Sequence, residues 1–443
     1  MRYWGASECW SCVRPLRRTE VAKFEEEFGA YLGVAHVTAT RYARTALYLA
    51  LRALDVRSQE VLLPAFTCNT VRDAVCLAGA TPVFVDIDPG DLSMDMAQLR
   101  QKTNHRTKAL VITHYYGKLA GNFDALLSFA KDSHLIAIED CAHCLGLTYK
   151  GQKVGTFGDM AAFSLGKNIL DFGGGIVVCT NETYHERIRH LVSVESKRSG
   201  WTEFGLMYPI FNRGFGPVMD RVIFNRVGNR ASKTLMAWLL KTGHRILTII
   251  PRRRPTATTT NGSTAYGWTQ VARQQVGRIE DDKVRVQLAM PRIVAALGRA
   301  QLRKLDYFNR KRTDICAILA PDIGCSCPQG VGNEGRGSTN TFFPMRFEGA
   351  DIERIREHCE KRGLSLLATW PAHQEYWPEQ DTDNVRRVGD SLLLWWVHPM
   401  TTRSEIAEMK KILGPFELLN SAGSPPHLLE TKPLIRDSDI TKQ

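Results

Sequence analysis

Residues Ala161–Val178 read AAFSLGKNILDFGGGIVV. The apolar run on the left and the β-branched run on the right both read as strand, buried or half-buried. Between them stand Lys167 and, after a short turn, Gly173, Gly174 and Gly175. Lysine is rarely buried without a partner, so its place between two strands points to chemical use. Desolvation disfavours the ammonium form and leaves an amine able to attack a carbonyl. The glycine run is expected to thin the backbone beside Lys167 so that the amine can reach a bound group.

On both sides of this stretch, strand and helix patterns alternate from Val21 to Thr180. EVLLPAF, TPVFVDI, KALVITHYYG, HLIAIEDCA and MAAFSLG read as strands, and TALYLALRAL and NFDALLSFAKDS as helices. That alternation predicts an α/β fold with a largely parallel sheet covered on both faces. Ligands of such sheets sit at the carboxyl ends of the strands. The residues there are Asp86, His114, Asp140 and Lys167. A lysine that forms Schiff bases is one requirement of pyridoxal 5'-phosphate (PLP). A carboxylate that keeps the pyridine nitrogen protonated is another. Asp140, ending its strand 27 residues before Lys167, is the candidate. A phosphate cradle is the third, and Arg44 and Thr45 stand where TALYLALRAL begins, since helix N-termini bind phosphate. Ser164 adds a hydroxyl.

The chain has 443 residues and a net charge of +12. The segment Ser196–Lys283 carries 15 Lys/Arg against five Asp/Glu, so nearly all of that excess lies there. It also contains the apolar stretch KTLMAWLLKTGHRILTIIPRRR, interrupted by Lys241, His244 and Arg245. Two uses fit: a basic rim on packing helices, or contact with an anionic membrane surface or a diphosphate. The interleaved aromatics Trp201, Phe204 and Trp238 do not form a nucleic-acid motif, and no sequence-specific nucleic-acid binding is expected. The N-terminus shows no apolar signal region, and no run of about 18 apolar residues predicts a span. Eleven scattered cysteines predict reduced thiols and a cytoplasmic chain, peripheral to the membrane at most.

PRIVAALGRAQLRKLDYFNRKRTDICAIL reads as one long helix. TNTFFPMRF, DIERIREHCEKRG, LLLWWVH and SEIAEMKKIL follow as a small α+β domain. The expected boundaries are a large domain over 20–310 containing the basic insertion 196–283, a small domain over 311–415 and a disordered tail over 416–443. QGVGNEGRGS lacks the P-loop ending and reads as a loop. Cys9-x-x-Cys12 and Cys141-x-x-Cys144 lie too far apart for a shared zinc site, and no metal is expected. A Cys–His nucleophile, Cys68 or Cys141 with His143 or His114, is the rival chemistry.

Taken in order, EEEFGAYLGVAH, EVLLPAFTCNTVRDAV, AGATPVFVDIDPGDLSMD, THYYGKLAGNFDAL, AIEDCAHCLGLTYKGQKVGTFGDMAAFSLGKN and GGGIVV resemble the PLP-dependent sugar aminotransferases of the DegT/StrS type. The resemblance covers most of the first 195 residues and resumes weakly at AALGRAQLRKLD. It implies the fold type I architecture, a mixed and mostly parallel sheet with a small C-terminal domain. It implies a homodimer that moves an amino group from an amino acid, typically glutamate, to a nucleotide-linked keto-sugar. By position, Lys167 resembles the Schiff-base lysine, Asp140 the pyridine partner, His143 the residue near the ring oxygen and Ser164 the phosphate serine. Arg44 and Thr45 fall where the family holds the phosphate with a threonine and a small residue. Cys68 stands where the family stacks an aromatic ring on the cofactor. Gln287 and Ala289 replace the asparagine and arginine of a second-subunit motif. These departures leave room for two alternatives: another fold type I enzyme with a non-sugar or lipid-linked acceptor, or a non-catalytic regulator on the same fold.

Overall fold

The computed structural model describes residues 6–169, 173–195, 288–320, 338–347, 350–369, 382–414 and 416. The basic segment 196–283, Gln287, most of the glycine-rich loop at 329–338 and all but one residue of the tail from 416 lie outside them.

Two N-terminal helices, α1 (Ala6–Val13) and α2 (Glu20–Leu32), precede the sheet. Strand β1 (His36–Thr40) leads into α3 (Ala43–Ala53), and β2 (Glu60–Pro64) into α4 (Asn69–Leu77). Then come β3 (Thr81–Val85), α5 (Met96–Lys102), β4 (Thr107–Thr113), α6 (Phe123–Asp132) and β5 (Ile136–Cys141). A small hairpin, β6 (Thr148–Tyr149) and β7 (Gln152–Lys153), leads to β8 (Met160–Ser164). The short helix α7 (Leu165–Asn168), β9 (Gly175–Cys179) and α8 (Glu182–Glu195) complete this part.

The seven-stranded sheet has the order β1-β9-β8-β5-β4-β2-β3. Strands β3, β2, β4, β5 and β8 run parallel, while β9 runs antiparallel to both β8 and β1. Every strand of the parallel part is apolar nearly throughout because both faces are covered. Leu62, Leu110, Ala137 and Phe163 pack on one face with α2 and α6. Val61, Leu63, Val111, Ile138 and Ala162 pack on the other with α3 and α4.

The sequence from Pro291 forms two helices rather than the expected one: α9 (Arg292–Leu302) and α10 (Leu305–Leu319). The chain turns at Arg303–Lys304, where Lys304 N–H donates to Gln301 O at 2.9 Å. Tertiary contacts account for the break. Both oxygens of Glu8, wholly buried on α1, accept from Lys304 Nζ at 2.8 Å. Leu302 and Leu305 both face the first core, while Ile315 and Leu319 turn to the C-terminal one.

That second unit is the three-stranded antiparallel sheet β10 (Phe342–Arg346), β12 (Leu392–Trp396) and β11 (Leu367–Ala368), in the order β10-β12-β11. Helices α11 (Ile352–Glu360), α12 (Asp383–Gly389) and α13 (Arg403–Leu413) accompany it. A capping box at Thr402 and Glu405 opens α13. Among the described residues, no helix is long and apolar enough to cross a membrane.

Candidate active site

Lys167 lies on α7, one turn of helix opened by Ser164 at the end of β8. Its Nζ is 2.8 Å from His143 Nε2. His143 sits in the loop after β5 and is 4% exposed. Its Nδ1 accepts the backbone N–H of Tyr116 at 3.3 Å, so the hydrogen-bond network assigns the neutral ring its proton on Nε2. That proton faces the lysine nitrogen, which can accept it only through its lone pair. The same lone pair attacks carbonyls. Burial holds the imidazole well below its usual range, so it stays neutral at physiological pH.

Asp140 is the second-last residue of β5, with Thr113 on β4 and Ala162 on β8 beside it in register. Its Oδ1 accepts Ala142 N–H at 3.0 Å. Burial raises this carboxyl above its ordinary range, against the lowering effect of Lys167, the Ala142 N–H and His114. A cation placed against Asp140 would return it to the ionised form.

Arg44 and Thr45 lie in the first turn of α3, whose N-cap residue, Tyr42, supplies no side-chain cap. The Arg41 and Arg44 guanidinium groups sit 4.7 and 4.8 Å from the Tyr42 ring centroid. This uncapped, positively flanked helix start reaches the Lys167 turn through the glycine run, for Gly174 N–H donates to Arg41 O at 2.9 Å. The glycines serve this approach. A Cβ on Gly175 would stand 2.3 Å from the Tyr42 carbonyl carbon and oxygen. Gly173, at φ +88°, would press one to 2.9 Å from the Tyr42 ring.

Cys68 is the N-cap residue of α4, and its Sγ accepts from Thr70 Oγ1 at 3.1 Å. Thr67 beside it is 1% exposed, and its Oγ1 has no hydrogen-bond partner among the described residues. Nearby, Tyr115 O–H donates to Phe66 O at 2.5 Å. The Phe342 ring, from β10, stands edge-on to His143 at 5.0 Å.

The site thus brings Lys167 and His143 into contact, with Asp140 on the strand next to the one that leads into the lysine turn. It does not recruit the other strand-end residues. His114 points to the far face, where its Nε2 lies 3.1 Å from Glu139 Oε2, both side chains wholly buried. Asp86 accepts Asn384 N–H at the start of α12. The Cys–His chemistry fails for Cys141. It is wholly buried, and burial together with hydrogen bonding to Cys144 pushes its thiol well above the ordinary range. A thiolate nucleophile needs the opposite. His114, Glu139 and Cys141 cluster tightly, and within that cluster Glu139 accepts three backbone N–H groups and faces His114 Nε2. Two open hollows of about 550 Å³ lie away from Lys167, around Arg52 and Arg187 and around Glu25 and Arg189. Neither holds an amine and a carboxylate at a strand end, and chemistry rather than concavity locates the site.

Residues 16–215, which carry every residue of this site except Phe342, match the model of the DegT/DnrJ/EryC1/StrS aminotransferase family. The likeness to this family lies in that segment, somewhat under half of the chain. A GDP-perosamine synthase of Caulobacter vibrioides is 39% identical over 164 residues, covering 37% of this chain and 44% of that protein. The chain spans about half the length of the curated relatives it matches. The fold extends further. The aminotransferase TlmJ of Streptoalloteichus hindustanus superposes with a TM-score of 0.67 at 20% identity, over 93% of this chain and 97% of that one. DesV of S. venezuelae, solved in complex with a ketimine intermediate, gives 0.64 at 23% identity, over 92% and 93%. What this chain shares with these solved structures is the fold, here a mixed, mostly parallel sheet and a small antiparallel one.

Proposed function

We propose that this chain is a PLP-dependent aminotransferase that moves an amino group from an amino acid, glutamate in the first instance, to a nucleotide-linked keto-sugar. The observation that carries the reading is the Lys167–His143 contact at 2.8 Å beside Asp140. An amine, a neutral proton-bearing imidazole and a half-buried carboxylate at adjacent strand ends suit a carbonyl cofactor with a basic ring nitrogen. The residues fit PLP on three further counts: an uncapped helix start flanked by two arginines, a glycine run that admits that helix, and the unpartnered Thr67 hydroxyl.

In this reading Lys167 would hold the cofactor aldehyde and would move the proton at the donor Cα. Asp140 would face the pyridine nitrogen. His143 stands by the ring oxygen and keeps its Nε2 proton toward the lysine. Ser164, Thr45 and Arg44, with the first N–H groups of α3, hold the phosphate. Cys68 would lie at the ring. When bound, the cofactor supplies the electron sink that makes the Cα proton removable. The GDP-perosamine synthase likeness supports a nucleotide-sugar acceptor. The reading includes a homodimer, which sedimentation of the purified chain tests.

The decisive experiment is an absorbance spectrum of purified protein with PLP, before and after borohydride, for wild type and Lys167→Ala. A lysine-bound band that borohydride fixes only in wild type, and that glutamate bleaches, supports the reading; a keto-sugar panel then names the acceptor. No band in wild type would overturn it.

A further inference from the structure

Lys167 is gripped by residues far along the chain. Asn168, which follows it, is 1% exposed. Its Nδ2 donates to Ala142 O at 3.0 Å and Ser164 O at 2.9 Å. With both N–H bonds taken by carbonyls, the carboxamide orientation is fixed, and Oδ1 faces Thr341 Oγ1 at 3.1 Å. The carbonyl of His143 meets the same hydroxyl at 2.7 Å and Thr339 Oγ1 at 3.3 Å.

A hydroxyl has one proton to give. Thr341 therefore cannot serve Asn168 Oδ1 and His143 O at once. Thr339, two residues earlier, supplies the second donor, and the two hydroxyls together satisfy the two acceptors. Thr339 and Thr341 are 1% and 0% exposed, so water does not stand in for either. The Tyr116–Gly117 turn, whose Tyr116 N–H fixes the His143 tautomer, is docked on the same strip: Thr339 N–H donates to Gly117 O at 2.9 Å. A third element closes the grip. Arg312 on α10, wholly buried, donates to Asn168 O at 2.5 Å, Asn309 Oδ1 at 2.8 Å and Val397 O at 3.2 Å.

We infer that Thr341 is a positioning residue whose hydroxyl, sharing its acceptors with Thr339, ties the turn of Lys167 to the loop of His143 and so sets their contact. The inference rests on the proposed function, in which that contact prepares the lysine for the cofactor. Through Thr341 and Arg312, the C-terminal sheet sets the geometry of an amine it does not touch. Misplacement of a reacting group by a fraction of an ångström to an ångström costs one to two orders of magnitude in rate.

The test compares wild type, Thr341→Val, Thr341→Ser and Thr339→Val, as full chains. The readouts are the rate of PLP attachment trapped by borohydride, the extent of attachment at saturation, and the ¹⁵N signal of the His143 imidazole without cofactor. Thr341→Val should slow attachment about tenfold, leave the final extent unchanged and mix the two His143 tautomers. Thr341→Ser should restore both rate and signal, which a purely structural role for the threonine methyl would not allow. Thr339→Val, which leaves one proton for two acceptors, should slow attachment in the same sense, and it carries the test if Thr341→Val does not fold. Rates within twofold of wild type with an unchanged His143 signal, or a serine variant as slow as valine, would overturn the inference. Failure of wild type to take up PLP would overturn the proposed function instead, and the His143 signal would still decide the positioning role.

Discussion

Replacing Glu139 with glutamine should cost this protein about 3–5 kcal/mol, a figure that follows from counting donors. The Glu139 side chain is wholly buried. Its Oε1 accepts the N–H groups of Phe157 at 2.8 Å and Gly158 at 2.7 Å. Its Oε2 accepts Gly155 N–H at 2.8 Å and faces His114 Nε2 at 3.1 Å. His114 Nδ1 accepts Ala120 N–H at 3.2 Å, so the network places its proton on Nε2, pointing at Glu139. Four donors converge on one carboxylate. Glutamine offers acceptors on one side only. If its oxygen faces Phe157 and Gly158, its amide hydrogens meet Gly155 N–H and the His114 proton. If it is reversed, they meet Phe157 and Gly158. Moving the histidine proton to Nδ1 sets it against Ala120 N–H. Every arrangement leaves two buried donors without an acceptor, at about 1–3 kcal/mol each, and the surviving bonds lose their charge assistance. Urea denaturation followed by circular dichroism, wild type against Glu139→Gln at pH 7.5, measures the loss. A difference under about 1 kcal/mol would refute this donor count. Because Glu139 faces away from Lys167, the folded fraction of the variant should still take up PLP.

Gly175→Ala should destabilise the chain by about 3 kcal/mol, since its Cβ meets backbone atoms of Tyr42 that cannot rotate away; thermal unfolding checks this, and an unchanged midpoint would remove the glycine argument. Stability should fall on acidification through His143. Its folded form resists protonation while the unfolded form takes a proton near pH 6.5, so between those values the unfolded state binds more protons and stability rises with pH. The loss is up to about 1.4 kcal/mol per pH unit below 6.5. His143→Gln should lack that share of the acid sensitivity, and equal urea-midpoint shifts between pH 7.5 and 5.5 in the two proteins would contradict it.

The alternation of apolar runs settled the fold class. Period-two and continuous apolar stretches of five to seven residues must be strands if both faces are covered, and β2, β3, β4, β5 and β8 stand where those runs predict them. The same reading placed Asp140 and Lys167 at strand ends, because a charged residue closing an apolar run marks where the strand leaves the core. The rest depended on partners the local pattern does not carry. PRIVAALGRAQLRKLDYFNRKRTDICAIL keeps helical periodicity across Arg303, so only the distant Glu8 and the two separate cores reveal the break. The glycines at 173–175 announce close approach, but not that Tyr42 is what approaches. His114 reads like a site residue because it ends a strand, and its pairing with Glu139 on the opposite face becomes visible only in register with β5. Arg312, Thr339 and Thr341 carry no signal at all. They reach the lysine turn and its neighbouring loop across 144 to 198 residues of chain. Sequence alone determined which segments become strands and which titratable side chains their ends present. Tertiary structure decided which of those side chains meet, because hydrogen-bond acceptors buried by packing must be satisfied by whatever donors folding brings beside them.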